Sequence, residues 1–155
     1  MYKLIFTGMF FFLTFLLSPA AMAEKKVTAN VINWHEWSNE AFALAEQQKK
    51  LVLLDISAPW CQFCKKMKAV TYKDPGVINI INDSYIAIHA DIELSSDVRM
   101  LYGDFGVPGT VILTPDREEI NKRLGYIPPQ QMQWHLLGSL QDASDLVSHI
   151  PPVQK

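Results

Sequence analysis

The chain has 155 residues, 49% of them apolar, with 14 basic and 16 acidic side chains and a formal net charge of −2. That length supports one domain with a sizeable core. The near-neutral balance, with no basic stripe, argues against a nucleic-acid partner.

Much of the apolar content sits at the N-terminus. Lys3 precedes an uncharged run from Leu4 to Leu17 that carries Phe10, Phe11, Phe12 and Phe15, and Ala21-Met22-Ala23 follows. A charged start, a short apolar stretch and a small-residue site predict a secretory signal peptide over residues 1–23, cleaved after Ala23. The apolar stretch is short of the roughly 20 residues that span a bilayer. No stable membrane insertion is expected after cleavage; an uncleaved anchor is the alternative. The signal predicts a periplasmic or otherwise exported protein, in an oxidising compartment.

Residues 24–31 are polar and read as a flexible leader. Ile32, Trp34 and Trp37 then supply apolar anchors. Ser38 or Asn39 is placed to cap a helix carrying Ala41, Phe42, Leu44 and Ala45, which ends at Gln47-Gln48-Lys49-Lys50. Leu51 to Ile56 is continuously apolar apart from Asp55, the pattern of a buried strand. A helix is expected from about Cys61 to about Tyr72, with Phe63, Met67 and Val70 at helical spacing. Asp74-Pro75 reads as an N-cap followed by proline in the first turn, opening a helix through Ile78 and Ile81. Tyr85 to Asp91 is the next strand. Ser95 or Ser96 caps a helix through Val98 and Leu101 that stops at Gly103. Val107-Pro108-Gly109 leads into the strand Thr110 to Leu113, and the turn Pro115 to Glu118 joins it to a strand near Glu119 to Tyr126 as an antiparallel hairpin. Pro128-Pro129 opens a last helix with Met132, Leu136, Leu137 and Leu140 on one face. Residues 143–155 form its extension or a tail. The domain itself spans 32–142, and this order of elements predicts an α/β fold with a central mixed β-sheet and helices on both faces.

Both cysteines lie in Asp55-Ile56-Ser57-Ala58-Pro59-Trp60-Cys61-Gln62-Phe63-Cys64, at the junction of a strand and a helix. Cys61 sits at the helix N-terminus, where unpaired N–H groups and the macrodipole favour a thiolate. Cys64 lies one turn on, close enough to close a small disulfide ring. Such a ring constrains an unfolded chain little, which favours chemistry over stapling. A zinc site is the bland alternative. It needs four ligands, and there is no second cysteine pair; His35, His89, His135 and His149 lack ligand spacing. No metal and no other cofactor is expected, since two sulfurs carry the electrons. Asp55 interrupts an apolar strand, so burial and a raised carboxyl pKa are expected of it.

From Leu53-Leu54-Asp55 to Trp60-Cys61-Gln62-Phe63-Cys64-Lys65 the chain resembles the active-site region of thioredoxin-fold proteins, and the likeness extends over roughly residues 32 to 141. It is most similar to the exported thioredoxin-like group that includes the C-terminal periplasmic domain of the transmembrane thiol–disulfide interchange protein. Two positions depart from the pattern of thioredoxins: Gln62-Phe63 stands where they carry Gly-Pro, and Gly109 where they carry Thr. The resemblance implies a thioredoxin-like fold and a redox-active pair in which Cys61 attacks and Cys64 resolves. It implies Asp55 as proton acceptor and donor for Cys64. It implies a cis Val107–Pro108 bond facing the disulfide, with Trp60, Val107 and Pro108 forming the docking edge. Lys65, Lys66 and Lys68 read mainly as a solvated helix face. The partners implied are exported proteins with cysteine pairs or disulfides and a transmembrane thiol–disulfide electron donor. Because Gln62-Phe63 offers the thiolate no charge, a reductase is favoured. The alternatives are an oxidase or isomerase, and a non-catalytic module that holds a metal through its thiolates.

Overall fold

A computed structural model describes residues 31–149. The expected signal segment, all of the expected leader except Val31, and residues 150–155 lie outside them. In chain order the elements are Trp34–His35 (β1), Asn39–Gln48 (α1), Leu51–Ser57 (β2), Gln62–Ala69 (α2), Pro75–Ser84 (α3), Tyr85–Asp91 (β3), Ser96–Tyr102 (α4), Gly109–Leu113 (β4), Glu119–Leu124 (β5) and Pro129–His149 (α5). A 3₁₀ turn at Thr71–Lys73 joins α2 to α3.

The five strands lie in the order β1-β3-β2-β4-β5. β1 and β2 both run parallel to β3, while β4 is antiparallel to β2 and to β5. This is the mixed sheet expected, with one strand added: two residues of β1 are too few to show periodicity. The central β2 is apolar on both sides because helices cover both. Val52, Leu54 and Ile56 pack with α1 and with Val98 of α4; Leu53 packs with α3, α5 and Met67 of α2. Each such fully buried side chain is worth about 1.5–3 kcal/mol.

Local chemistry sets the boundaries. The Ser38 hydroxyl accepts from Ala41 N–H at the start of α1, and Asp74 accepts from Val77 N–H at the start of α3, with Pro75 beside it. α5 continues through 143 to His149, so the described part of the expected tail extends the helix.

The buried face of α2 differs from the expected one. Cys64 and Met67 point inward, whereas Phe63 is 61% and Val70 43% exposed. The helix also ends at Ala69, earlier than expected. The 3₁₀ turn that follows swings Thr71 and Tyr72 into the core, where Thr71 donates to the Ile127 carbonyl at 2.6 Å. On α4 and α5, Leu101 and Leu137 are exposed although their spacing marked them as inward.

On the face shared with α2, β2 presents Leu53, Asp55 and Ser57 in alternation, and β3 presents Ala87, His89 and Asp91 beside them in register. The face is apolar along most of its length and turns polar where it meets the N-terminus of α2.

Candidate functional site

The loop from β2 delivers Cys61 as the N-cap of α2 and Cys64 one turn inside it. Their sulfurs are bonded at 2.02 Å, with the Cα atoms 5.3 Å apart. The Cys64 N–H donates to Cys61 Sγ at 3.0 Å. The disulfide rests on Ala58, with Ile92 and Val107 against it. Both cysteines are buried, Cys61 at 5% and Cys64 at 8% exposure. What separates them is the helix, since the free N-terminal amide addresses Cys61.

Asp55 is buried, as expected from its strand, at 6% exposure. Both its oxygens are engaged. Oδ1 accepts from the Tyr72 hydroxyl at 3.0 Å, and Oδ2 lies 2.8 Å from His89 Nδ1. His89 Nε2 lies 3.3 Å from Ser57 Oγ. Trp34 stacks edge-on against both Tyr72 and His89. Burial, the Asp55 charge and the bond to it push the Tyr72 phenol well above its ordinary value. It therefore stays a donor. The fully buried Thr110 hydroxyl, opposite Asp55 on β4, makes no hydrogen bond of its own, yet lies near enough to Tyr72 to oppose that rise in part.

A cleft of about 300 Å³ exposes this cluster to the disulfide; Asp55, Ser57, Cys64, Lys65, Lys68 and His89 line it. A second cleft, about 230 Å³, lies between Trp60, Ile92, Glu93, Arg99, Gly106 and Val107. Trp60 is 64% exposed there, its indole N–H donating to Glu93 at 2.7 Å. The Val107–Pro108 bond is cis. Pro108 is buried, and its carbonyl accepts from Gly125 N–H at 2.8 Å. Gly106 has φ 98°, a conformation glycine allows at little cost. A Cβ on Gly109 would lie 3.0 Å from the Gly106 carbonyl and 3.2 Å from the Phe105 ring. A side chain at this position, threonine included, would crowd those two neighbours.

Two clefts hold most of the residues singled out from the sequence. Asp55 shares a cleft with Cys64, Trp60 and Val107 share the other, and Pro108 follows Val107 through the cis bond. Lys65, Lys66 and Lys68 are all exposed, and Lys66 stands 4.4 Å over the Tyr126 ring. Sequence reasoning assigned no role to Tyr72, His89 or Ser57. The signal for His89 was the alternation Ala87, His89, Asp91 in β3, which puts two polar side chains on the face that carries Asp55. Among the described residues no group of three His, Cys, Asp or Glu side chains is arranged to hold a metal ion.

A helix-capping Cys-x-x-Cys disulfide beside a cis-proline, on a mixed five-stranded sheet, defines a thioredoxin-like thiol–disulfide protein. A family model described as "Protein of unknown function, DUF255" (Thioredox_DsbH) matches residues 18–149, and the chain belongs to that family. Among curated proteins it is similar to uncharacterized protein B0495.5 of Caenorhabditis elegans, 33% identical over 108 residues, which is 64% of this chain and 15% of that protein. It is similar to the thiol:disulfide interchange protein DsbD of Neisseria meningitidis, 30% identical over 97 residues, 60% of this chain and 16% of that protein. The chain therefore spans about 15% of the length of such relatives. Among solved structures, a thioredoxin from Thermus thermophilus superposes with a TM-score of 0.66 at 20% identity, over 78% of this chain and 98% of that one.

Proposed function

We propose that this protein is an exported thiol–disulfide oxidoreductase that reduces disulfides in other exported proteins. The observation that carries the reading is the 3.0 Å hydrogen bond from Cys64 N–H to Cys61 Sγ at the start of α2. In the reduced protein the same amide and the helix dipole stabilise a Cys61 thiolate, the form that attacks disulfides.

The cycle balances without a cofactor. The Cys61 thiolate attacks one sulfur of a client disulfide, and the other client sulfur leaves as a thiolate. Cys64 then loses its proton and attacks Cys61 Sγ. That breaks the mixed disulfide, closes Cys61–Cys64, and releases the second client thiolate. Two electrons pass to the client. Asp55, sharing a cleft with Cys64, is suited to take the Cys64 proton. Trp60, Val107 and Pro108 form the edge on which an extended client segment docks, by main-chain hydrogen bonds of the strand-addition kind.

Direction follows from the residues between the cysteines. Gln62-Phe63 brings no charge to the thiolate, so the reduced form gains little extra stability and the pair stays reducing. A reductase outside the cytoplasm needs electrons from across the membrane. A transmembrane thiol–disulfide donor fits that need, and the similarity to an interchange protein supports such exchange. The leading segment Lys3 to Ala23 supports export.

Trapping tests this reading. Cys64→Ser, expressed with its own leader, should accumulate mixed disulfides with exported proteins, and Cys61→Ser should accumulate few. Equal trapping by both variants, or none by either, contradicts it.

A further inference from the structure

A third cleft, of about 480 Å³, opens where the C-terminal ends of β1 and β3 meet the loops that follow them. Trp34, Trp37, Glu36, Asp91 and Leu94 line it. None of these five residues takes part in the disulfide cycle.

The charge of this cleft is one-sided. Glu36 and Asp91 bring two carboxylates, and no lysine or arginine lines it. The Glu36 side chain is exposed and makes no hydrogen bond or ion pair among the described residues. Asp91 accepts from Glu93 N–H through Oδ1 at 2.9 Å, and its other oxygen has no partner among the described residues. The two histidines in the lining are engaged: His35 Nε2 lies 3.1 Å from Asn33 Nδ2, and His89 is held by Asp55 and Ser57. Arg117 stands 5.7 Å from the Trp37 ring centre, yet it donates to Asn39 at 2.6 Å and does not line the cleft.

Apolar surface lies beside those carboxylates. Leu94 is 83% exposed, the most of any large apolar side chain among the described residues, and Trp34 and Trp37 are half-buried. Apolar surface next to unpaired negative charge matches lysine or arginine, whose methylene stem covers the one while its head meets the other. Aromatic rings add attraction for a cation.

The cleft is within reach of a docked client. Ile92 and Glu93 line the cleft beside Trp60 and Val107, while Leu94 and Ser95, next in the chain, line the outer one. Neighbouring Cα atoms are about 3.8 Å apart, so an extended client segment crosses this turn within a few residues.

We infer that the outer cleft is an exosite for a lysine or arginine side chain of the client polypeptide, a few residues from the cysteine that Cys61 attacks. The inference rests on the oxidoreductase reading above and adds a substrate preference to it. Glu36 and Asp91 take the charged head; Leu94 and the two tryptophans take the stem. These residues set specificity and touch no reacting sulfur.

The test uses the pre-reduced full-length protein in single-turnover stopped flow against peptide disulfides, each a short peptide joined to its own copy through one cysteine. One lysine is moved along the peptide. Matched peptides carry norleucine, which keeps the stem without the charge, or glutamate. At one spacing from the cysteine, lysine should lower the half-saturating concentration about fivefold relative to norleucine, in the range of an exposed ion pair, with the maximal rate unchanged. That advantage should shrink in about 1 M salt. Glu36→Gln should remove most of it, and Glu36→Lys should reverse it in favour of glutamate. Leu94→Ser should weaken the lysine and norleucine peptides together. A lysine advantage that is the same at every position, or that both Glu36 variants keep in full, overturns the exosite. So does a Leu94→Ser variant that binds both peptides as well as the wild type. Equal half-saturation by all peptides overturns the exosite and leaves the oxidoreductase reading standing. If the wild-type protein reduces no peptide at all, the oxidoreductase reading fails and the exosite falls with it.

Discussion

The Tyr72 hydroxyl donates to Asp55 at 3.0 Å from beneath the sheet's polar end, across a sequence separation of 17 residues. That bond ties the turn after the cysteine helix to the central strand. It also supplies a hydrogen bond to a carboxylate that is only 6% exposed. A buried carboxylate without such donors is costly, which is why this one carries two.

Tyr72→Phe should therefore destabilise the fold by about 1–3 kcal/mol, the usual cost of leaving a buried acceptor unpaired. Denaturant unfolding at pH 7 checks this, through a lower midpoint with an unchanged slope. An unchanged midpoint means that Tyr72 does not support Asp55. The raised phenol also fixes an alkaline limit. Because it titrates above its unfolded value, its contribution is whole below about pH 10 and is lost as the pH climbs toward the folded value.

His135 makes the opposite prediction at acid pH. It is buried on α5, and its Nε2 has no hydrogen-bond partner among the described residues. Burial, with Arg123 nearby, lowers its pKa to about 4 against the partial opposition of Asp142. The unfolded chain then binds more protons than the folded one between about pH 6.5 and pH 4. Stability should be whole above that window and fall as the pH drops through it. His135→Leu should flatten the fall in melting temperature between pH 7 and pH 5. A variant as acid-sensitive as the wild type contradicts the assignment.

At Gly109 the prediction concerns packing. Alanine there must push back the Gly106 carbonyl or the Phe105 ring. Overpacking of this kind costs about 1–3 kcal/mol, and threonine, with two more heavy atoms, should cost more than alanine. Thermal melts of Gly109→Ala and Gly109→Thr rank the two. A threonine variant as stable as the wild type would show that the loop has room.

The features legible in the sequence were those with local causes. Asp74-Pro75 announces a helix start, the apolar run through Asp55 announces a buried strand, and Cys61 to Cys64 announces its chemistry by spacing alone. The hidden features depend on register between distant segments. His89 meets Asp55 only because β2 and β3 pair in parallel with those two residues opposite each other. Tyr72 reaches the same carboxylate only because α2 ends at Ala69 and the chain tightens into a 3₁₀ turn. The apolar face of α2 differs from the expected one for a related reason: the stripe that meets the core is Cys64 and Met67, and Phe63 and Val70, although helically spaced, lie off it and stay exposed.

The central claim, a reducing Cys61–Cys64 pair, is tested most directly by equilibrating the protein against graded mixtures of reduced and oxidised glutathione and counting its free thiols. The account predicts one two-electron transition at or below about −200 mV, on the thioredoxin side of the scale. A transition near about −120 mV, the range of strong oxidants, or no transition at all, would contradict it.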